Sequence, residues 1–207
     1  MKLYYHPASP FARKAQIVAE MLGLDLELEF VDLFNGGGQK PAFLKLNPQG
    51  KVPTLVDGDF VLWESNAIVQ HFAAKAPASP LFPDDPSVRA DILRWQFWES
   101  TSIAPACMIY VYENLLKEIM NSGAPDAMEL QKGEEKFQRS ARMLDAHLAK
   151  REWLLGETLT LADLSVAPLL MYADAANYPI QPYPHIAAWF TKIQALPAWQ
   201  RTEPAQA

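Results

Sequence analysis

The chain reads as an α/β domain followed by an all-helical domain, and three observations carry that reading. Short β-forming runs near the start enclose one helical stretch and end in a hairpin. Four prolines then crowd one acidic segment, and the long apolar patterns beyond it have helical spacing. The expected division is residues 1–76, a linker over residues 77–87, and a helical domain over residues 88–207.

Lys2 to Tyr5 predicts a first strand, which Pro7-Ala8-Ser9-Pro10 breaks before Phe11, Ala15, Val18 and Leu22 recur at helical spacing. Ser9 at the N-cap and Pro10 at the first helical position are the favoured order for a helix start, and Gly23 is placed to end it. On the residues alone, Ser9 is a helix cap. Leu26 to Asp32 alternates apolar and acidic side chains, so a second strand pairs parallel with the first across the helix. The glycines of Leu33-Phe34-Asn35-Gly36-Gly37-Gly38-Gln39-Lys40 lack the Lys-Ser/Thr ending of a phosphate-binding loop, and a mobile loop is expected. Pro41 to Leu46 is a short helix or turn.

Thr54-Leu55-Val56 and Phe60-Val61-Leu62 are apolar runs rich in β-formers, and Asp57-Gly58 between them supplies a tight hairpin turn. After Trp63 the pattern turns helical, at Ala67, Ile68, Phe72 and Ala76, with Ser65 placed to cap. A sheet edge thus meets a helix N-terminus, where free N–H groups and a positive dipole end suit a ligand carboxylate, with Glu64 and Ser65 as contacts. Pro53 opens its strand after Val52. Only about 5% of X-Pro bonds in folded proteins are cis, so the residues alone give a trans bond here.

Pro77, Pro80, Pro83 and Pro86 mark the linker. From Val88 to Met120 the apolar and aromatic spacing (Ile92, Trp95, Trp98, Ile103, Ile109, Tyr112, Leu116) predicts one long helix, bent near Pro105. Phe137, Ala141, Leu144 and Leu148 give a second amphipathic helix. Thr160-Leu161-Ala162-Asp163 has capping-box form ahead of an apolar run, His185 to Leu196 is a further helix, and Trp199 to Ala207 is a tail.

Half of the residues are apolar, ample for a buried core, and the apolar runs are too short to cross a membrane. Met1 to Tyr5 enters a strand pattern directly, without a signal-peptide layout, so a cytoplasmic protein is expected. The single cysteine, Cys107, excludes an intrachain disulfide and reads as a small buried hydrophobe; the four dispersed histidines give no metal motif. Net charge is −6, with no basic cluster suited to nucleic acid. Residues 1–76 carry seven basic and eight acidic side chains, against eleven and sixteen in the remainder, so the first part is where an anion binds more readily.

The order βαβ, hairpin, helix resembles a thioredoxin-like domain. The stretch Asn47-Pro48-Gln49-Gly50-Lys51-Val52-Pro53 with Glu64-Ser65 resembles the glutathione-binding half of the cytosolic glutathione transferases. Tyr4-Tyr5-His6-Pro7-Ala8-Ser9 with Arg13 is similar to their serine-type classes, the theta, delta and phi-like ones. The Thr160-x-x-Asp163 box recurs in that family's helical domain, so the resemblance covers nearly the whole chain. It implies a cis bond at Pro53, and Ser9 facing the glutathione sulfur as the catalytic group. It further implies Lys40 and Lys51 at the glycine carboxylate, Val52 and Pro53 at the cysteinyl backbone, and Glu64 with Ser65 at the γ-glutamyl end. Delta-type relatives put histidines where this chain has Gly38 and Gly50.

The implied activity is attack of the glutathione thiolate on a small, largely apolar electrophile, in the manner of a detoxification enzyme; isomerisation and peroxide reduction stay open. Phe11, Ser102, Ala106, Ile109 and Tyr110 are candidates for the second-substrate pocket. A homodimer is implied, with the helix after Ser65 packed on the partner's long helix. The alternative is a non-catalytic interaction or ligand-binding module of the same fold. Retention of Ser9 with Glu64-Ser65 argues against it.

Overall fold

The computed structural model of the chain describes residues 1–76 and 79–204. It forms two compact units, Met1–Asp84 with Leu196–Ala207, and Asp85–Ala195.

The first unit is built on a four-stranded sheet of order β2-β1-β3-β4. Strand β1 (Lys2–Tyr5) leads into helix α1 (Pro10–Met21), which returns the chain to β2 (Glu27–Phe30), parallel to β1 with Leu3 opposite Leu28. All four β2 residues are exposed, as an edge strand allows, and Lys2 forms ion pairs with two of them, Glu27 at 2.9 Å and Glu29 at 3.6 Å. Strand β3 (Thr54–Asp57) runs antiparallel to β1, and β4 (Phe60–Trp63) pairs with β3 through a two-residue turn whose positive φ (61°) falls on Gly58. Helix α3 (Ser65–Lys75) follows and packs against α1. Leu3, Ile17, Val18, Leu55, Ile68, Val69 and Phe72 are fully buried in this unit, each contributing about 1.5–3 kcal/mol by burial.

Three expectations about this unit need correction. The glycine-rich segment is not a loose loop. Gly37 and Gly38 are buried in a 3-10 turn ahead of the short helix α2 (Pro41–Leu44), where the Gly37 N–H donates to the Asp32 carbonyl at 2.6 Å. Ser65 is the first residue of α3 and does not cap it; the cap position is Glu64, which makes no side-chain capping bond. The final segment is not a tail up to Pro204, and residues 205–207 lie outside the described residues. Pro197–Arg201 form a helix, labelled α10, that packs on α1 and buries Trp199 to 2% exposure.

The second unit is helical. Helix α4 (Pro86–Trp98) begins inside the expected linker, because Asp85 caps it through the N–H groups of Ser87 and Val88 and Pro86 takes the first helical position. Pro77 and Ala78 of that linker are outside the described residues. Helical winding continues past Trp98 through a π turn (Glu99–Ile103), α5 (Ala104–Val111), a second π turn (Tyr112–Leu116) and α6 (Lys117–Ile119). Pro105 lacks the N–H that an α-turn would require, and the widened turn sits just ahead of it. Helix α7 (Ala127–Leu148) buries Phe137, Ala141, Leu144 and Leu148 on one face, as their spacing demands. The capping box forms as read, with Asp163 bonded to the Thr160 N–H and Thr160 capping α8 (Leu161–Val166). Asp163 is fully buried and also accepts from the Leu154 N–H and the Trp189 indole, at 2.8 and 3.0 Å. A 3-10 run (Ala167–Tyr172) and α9 (Pro184–Gln194) complete the unit.

Among the described residues no helix is long and apolar enough to cross a membrane.

Candidate active site

The chemistry-bearing residues of the first unit gather where two helices begin beside the sheet. Ser9 leaves β1 through the Pro7 break and caps α1: its Oγ accepts the Ala12 N–H at 3.1 Å, with the side chain 9% exposed. A hydroxyl that accepts this way keeps its own proton to donate, so capping and donation to an anion are compatible roles. The α1 dipole adds positive potential at the same point. Tyr4 and Tyr5, the rival hydroxyls, sit in β1, where Tyr4 packs on Phe43 at 5.6 Å and Tyr5 lies edge-on to Phe30 at 6.4 Å.

The second helix start is α3. Glu64 bridges β4 to it with φ 73° and ψ 113°, a conformation rarely taken by a residue with a side chain and costing on the order of 1–3 kcal/mol. Such strain concentrates at ligand sites, and here it lets the Glu64 carbonyl accept the first helical bond, from the Ile68 N–H at 3.0 Å. The helix start at Ser65 points its N–H groups outward along the axis, as any helix N-terminus does. Glu64 is exposed and Ser65 is 7% exposed. Lys14, buried on α1, donates to the Asn66 side chain at 2.9 Å and ties the two helix starts together.

Val52 precedes the cis Val52–Pro53 bond, so the bond takes the isomer implied by the resemblance and not the one the base rate gives. Among the described residues, the Val52 backbone makes no hydrogen bond to another part of the chain, which leaves it open to an extended peptide-like ligand. Asn47, 2% exposed, fixes this segment: its amide donates to the Lys51 carbonyl at 2.8 Å and to Thr54 Oγ1 at 3.1 Å, while its Oδ1 accepts the Gln49 N–H at 3.0 Å. Lys40 and Lys51 are exposed on two segments that touch where Gly38 meets Gly50.

The residues expected to line a second-substrate pocket do not behave alike. Ala106 is fully buried, and Tyr110 packs between Phe137 (6.0 Å) and Tyr178 (5.6 Å), so both belong to the core of the helical unit. Burial raises the Tyr110 pKa to about 12, with the charge of Glu134 adding to the shift. Cys107 is buried, and desolvation pushes its thiol well above the ordinary range. Ile109 is half-buried and lines a groove of about 430 Å³ with Pro105, Met108, Tyr112, Glu113 and Glu129. Ser102 and Phe11 are half-buried, Phe11 with Lys14 Nζ 5.6 Å from its ring centre. No group of three or more His, Cys, Asp or Glu among the described residues could hold a metal ion.

The bonds made by His6, Lys14 and Asn47 were not legible in the sequence, although His6 and Asn47 stand inside the quoted motifs. His6 carried no spacing signal. A lysine on a helix reads as solvated, and Lys14 shows its burial only once α3 is in place. Asn47 reads as turn composition, which is a weaker description of the bonds it makes.

The fold defines a thioredoxin-like domain without a cysteine of its own, joined to an all-helical domain. The models of the glutathione S-transferase N-terminal and C-terminal domains match residues 3–80 and 127–192. Glutathione S-transferase 3 of Zea mays is 38% identical over 98% of this chain and 92% of its own. Among solved structures, glutathione S-transferase III is similar with a TM-score of 0.87 at 36% identity, covering 100% of this chain and 98% of that one. Glutathione S-transferase I, solved with lactoylglutathione, has a TM-score of 0.86 at 27% identity, covering 98% and 97%. The chain belongs to the glutathione S-transferase family.

Proposed function

We propose that this transferase binds glutathione along the first unit and presents its sulfur, as thiolate, to a small and largely apolar electrophile. The observation that carries the reading is the Ser9 hydroxyl, engaged as acceptor by the Ala12 N–H and free to donate, at the start of α1. A thiol of ordinary pKa near 8.5 needs such a donor and dipole to ionise at neutral pH. Val52 offers its backbone to the cysteinyl part beside Pro53, the α3 N-terminus with Glu64 and Ser65 takes the γ-glutamyl carboxylate, and Lys40 with Lys51 supplies charge for the glycine carboxylate. The lactoylglutathione held by a similar transferase supports a glutathione-sized ligand. For the electrophile, Phe11 of the first unit and Ser102 and Ile109 of the helical unit stay as candidates, while Ala106 and Tyr110 belong to the helical core.

Calorimetry on the purified protein tests the reading. Binding of millimolar glutathione is expected, weakened by about 1–3 kcal/mol in Ser65→Ala, where a carboxylate loses its donor. No detectable binding would return the chain to the non-catalytic alternative. A panel of electrophiles, a hydroperoxide and an isomerisable substrate then identifies the reaction.

The reading also includes a homodimer and a cytoplasmic location. Exposed Phe60 and Trp63 on β4, and Leu93 and Phe97 on α4, are the apolar surfaces a partner would cover. A monomer by light scattering at micromolar concentration would sink the dimer. The single cysteine, buried and unsuited to disulfides, supports the location.

A further inference from the structure

His6 is joined to the start of α1 by consecutive hydrogen bonds. Its Nδ1 accepts the Ala8 N–H at 3.1 Å, its carbonyl accepts the Ser9 N–H at 2.9 Å, and Ser9 Oγ accepts the Ala12 N–H at 3.1 Å. An Nδ1 that accepts a backbone N–H must carry a lone pair, so the ring is neutral and its proton sits on Nε2. The ring is 6% exposed, tilted against Phe30 at 5.4 Å and edge-on to Phe34 at 5.0 Å. Burial lowers its pKa from the ordinary histidine value, and Asp32 offsets part of that.

Asp32, on the segment after β2, is a charged group near enough to the ring to favour its protonated form. The two phenyl rings bring no charge. On α1, Arg13 is engaged with Trp199 and Lys14 with Asn66.

We propose that His6 is a positioning residue for Ser9: its neutral imidazole fixes the Pro7-Ala8-Ser9 turn that aims the Ser9 hydroxyl, and a proton on Nδ1 releases that turn. The inference rests on the reading of Ser9 as the group that stabilises the thiolate. Protonation replaces the Nδ1 lone pair with an N–H, so the Ala8 N–H loses its acceptor and two donors face each other. The proton comes from solvent and returns to it. Because the folded-state pKa is lowered, the neutral form and the fixed turn prevail at neutral pH and are lost as pH falls. Acid then removes activity twice, by protonating the bound thiol and by releasing Ser9.

The test follows turnover and the ultraviolet absorbance of glutathione-bound thiolate across pH in the full-length protein and in Ser9→Ala, His6→Leu and His6→Asn. His6→Leu is expected to raise the bound thiol's apparent pKa by about half to one unit and to lower kcat about threefold to tenfold, the worth of one hydrogen bond, with KM for glutathione little changed. An asparagine side chain bonds the backbone N–H two residues on, so His6→Asn should recover most of that loss and reduce the acid limb from two protons to one. Nitrogen-15 spectra of the wild type should show Nδ1 as an acceptor and the proton on Nε2.

A titration moved by Ser9→Ala and unmoved by His6→Leu would overturn the role of His6 and leave that of Ser9 standing. A titration unmoved by Ser9→Ala would overturn the Ser9 reading itself. Should His6→Leu fail to fold, the His6→Asn acid limb decides: two protons, as in the wild type, count against the proposal. A proton on Nδ1 in the wild type at neutral pH also overturns it.

Discussion

Gly38 and Gly50 meet backbone to backbone. A Cβ on Gly50 would lie 2.6 Å from the Gly38 carbonyl oxygen, one on Gly38 would lie closer still to the Gly50 carbonyl, and Gly50 has φ +66°. Neither position accepts a side chain without moving the segments that carry Lys40 and Lys51, so the histidines of delta-type relatives have no room here. Gly50→Ala is expected to lower stability by about 1–3 kcal/mol through the positive φ and the clash. It should also weaken glutathione binding while leaving the bound thiol's pKa in place. Urea denaturation, calorimetry and the thiolate titration separate the three effects, and a full-affinity variant would remove this contact from the account of binding.

Ser9→Ala and Tyr5→Phe distinguish the two hydroxyls that the start of the chain offers. Loss of one hydrogen bond to the thiolate should raise the bound thiol's pKa by about one to two units, at about 1.4 kcal/mol per unit. That shift is expected for Ser9→Ala and absent for Tyr5→Phe. The reverse pattern would leave Ser9 as a helix cap.

Asp145 on α7 holds the start of α9. Its Oδ1 accepts the N–H groups of His185 and Ile186 at 2.8 and 3.1 Å, and its Oδ2 lies 2.9 Å from His185 Nδ1. Burial alone would raise this carboxyl's pKa, but the His185 ring and the two backbone donors outweigh it, and the net direction is down. A depressed folded-state pKa contributes stability that is present above the unfolded value near 3.9 and lost as pH falls through the folded one. Asp145→Ala is therefore expected to cost about 1.5–3 kcal/mol at pH 7 and to flatten the acid limb of the stability curve below about pH 4. Thermal unfolding from neutral to strongly acidic pH measures both. An unaltered acid limb would show that other carboxylates carry the acid sensitivity.

The sequence made the hairpin, the α1 cap and the Thr160–Asp163 box legible because each is a local contract between near neighbours. The first strands and the periodicity of α7 were legible for the same reason. What escaped depends on parts of the chain far apart. Ser65 has capping chemistry, but the chain bends one residue earlier, at Glu64, whose positive φ no propensity announces. The π turns at Glu99–Ile103 and Tyr112–Leu116 leave the side-chain types unchanged and alter only the winding. Gly37 and Gly38 look like slack until Asp32 closes on the first and Gly50 on the second. At the candidate site, Ser9, Glu64 and Ser65 stand out through their motif, whereas Lys14 takes its part from the distant Asn66, and His6 from a bond to its near neighbour Ala8 that no propensity announces.

Trp199 lies under Arg13, whose guanidinium sits 4.0 Å from the indole centre and donates to the Trp199 carbonyl at 3.0 Å. Trp199→Ala is expected to destabilise the first unit by about 3–5 kcal/mol. Removing everything from Leu196 onward should do at least as much, while the helical unit keeps its own helix content and cooperativity. Hydrogen exchange resolved by segment would show the loss in β1 and α1. Uniform loss across both units would overturn this placement.

That helix is synthesised after all of Asp85–Ala195, yet it completes the unit to which the first residues belong. The nascent sheet must therefore leave the ribosome and wait, with the face of α1 that receives Trp199 still open, until all of Asp85–Ala195 has been made. The helical unit has its whole sequence in hand sooner. Maturation of the first unit is then timed by the arrival of Pro197–Arg201, and a message cut short before Leu196 yields a protein defective at its beginning.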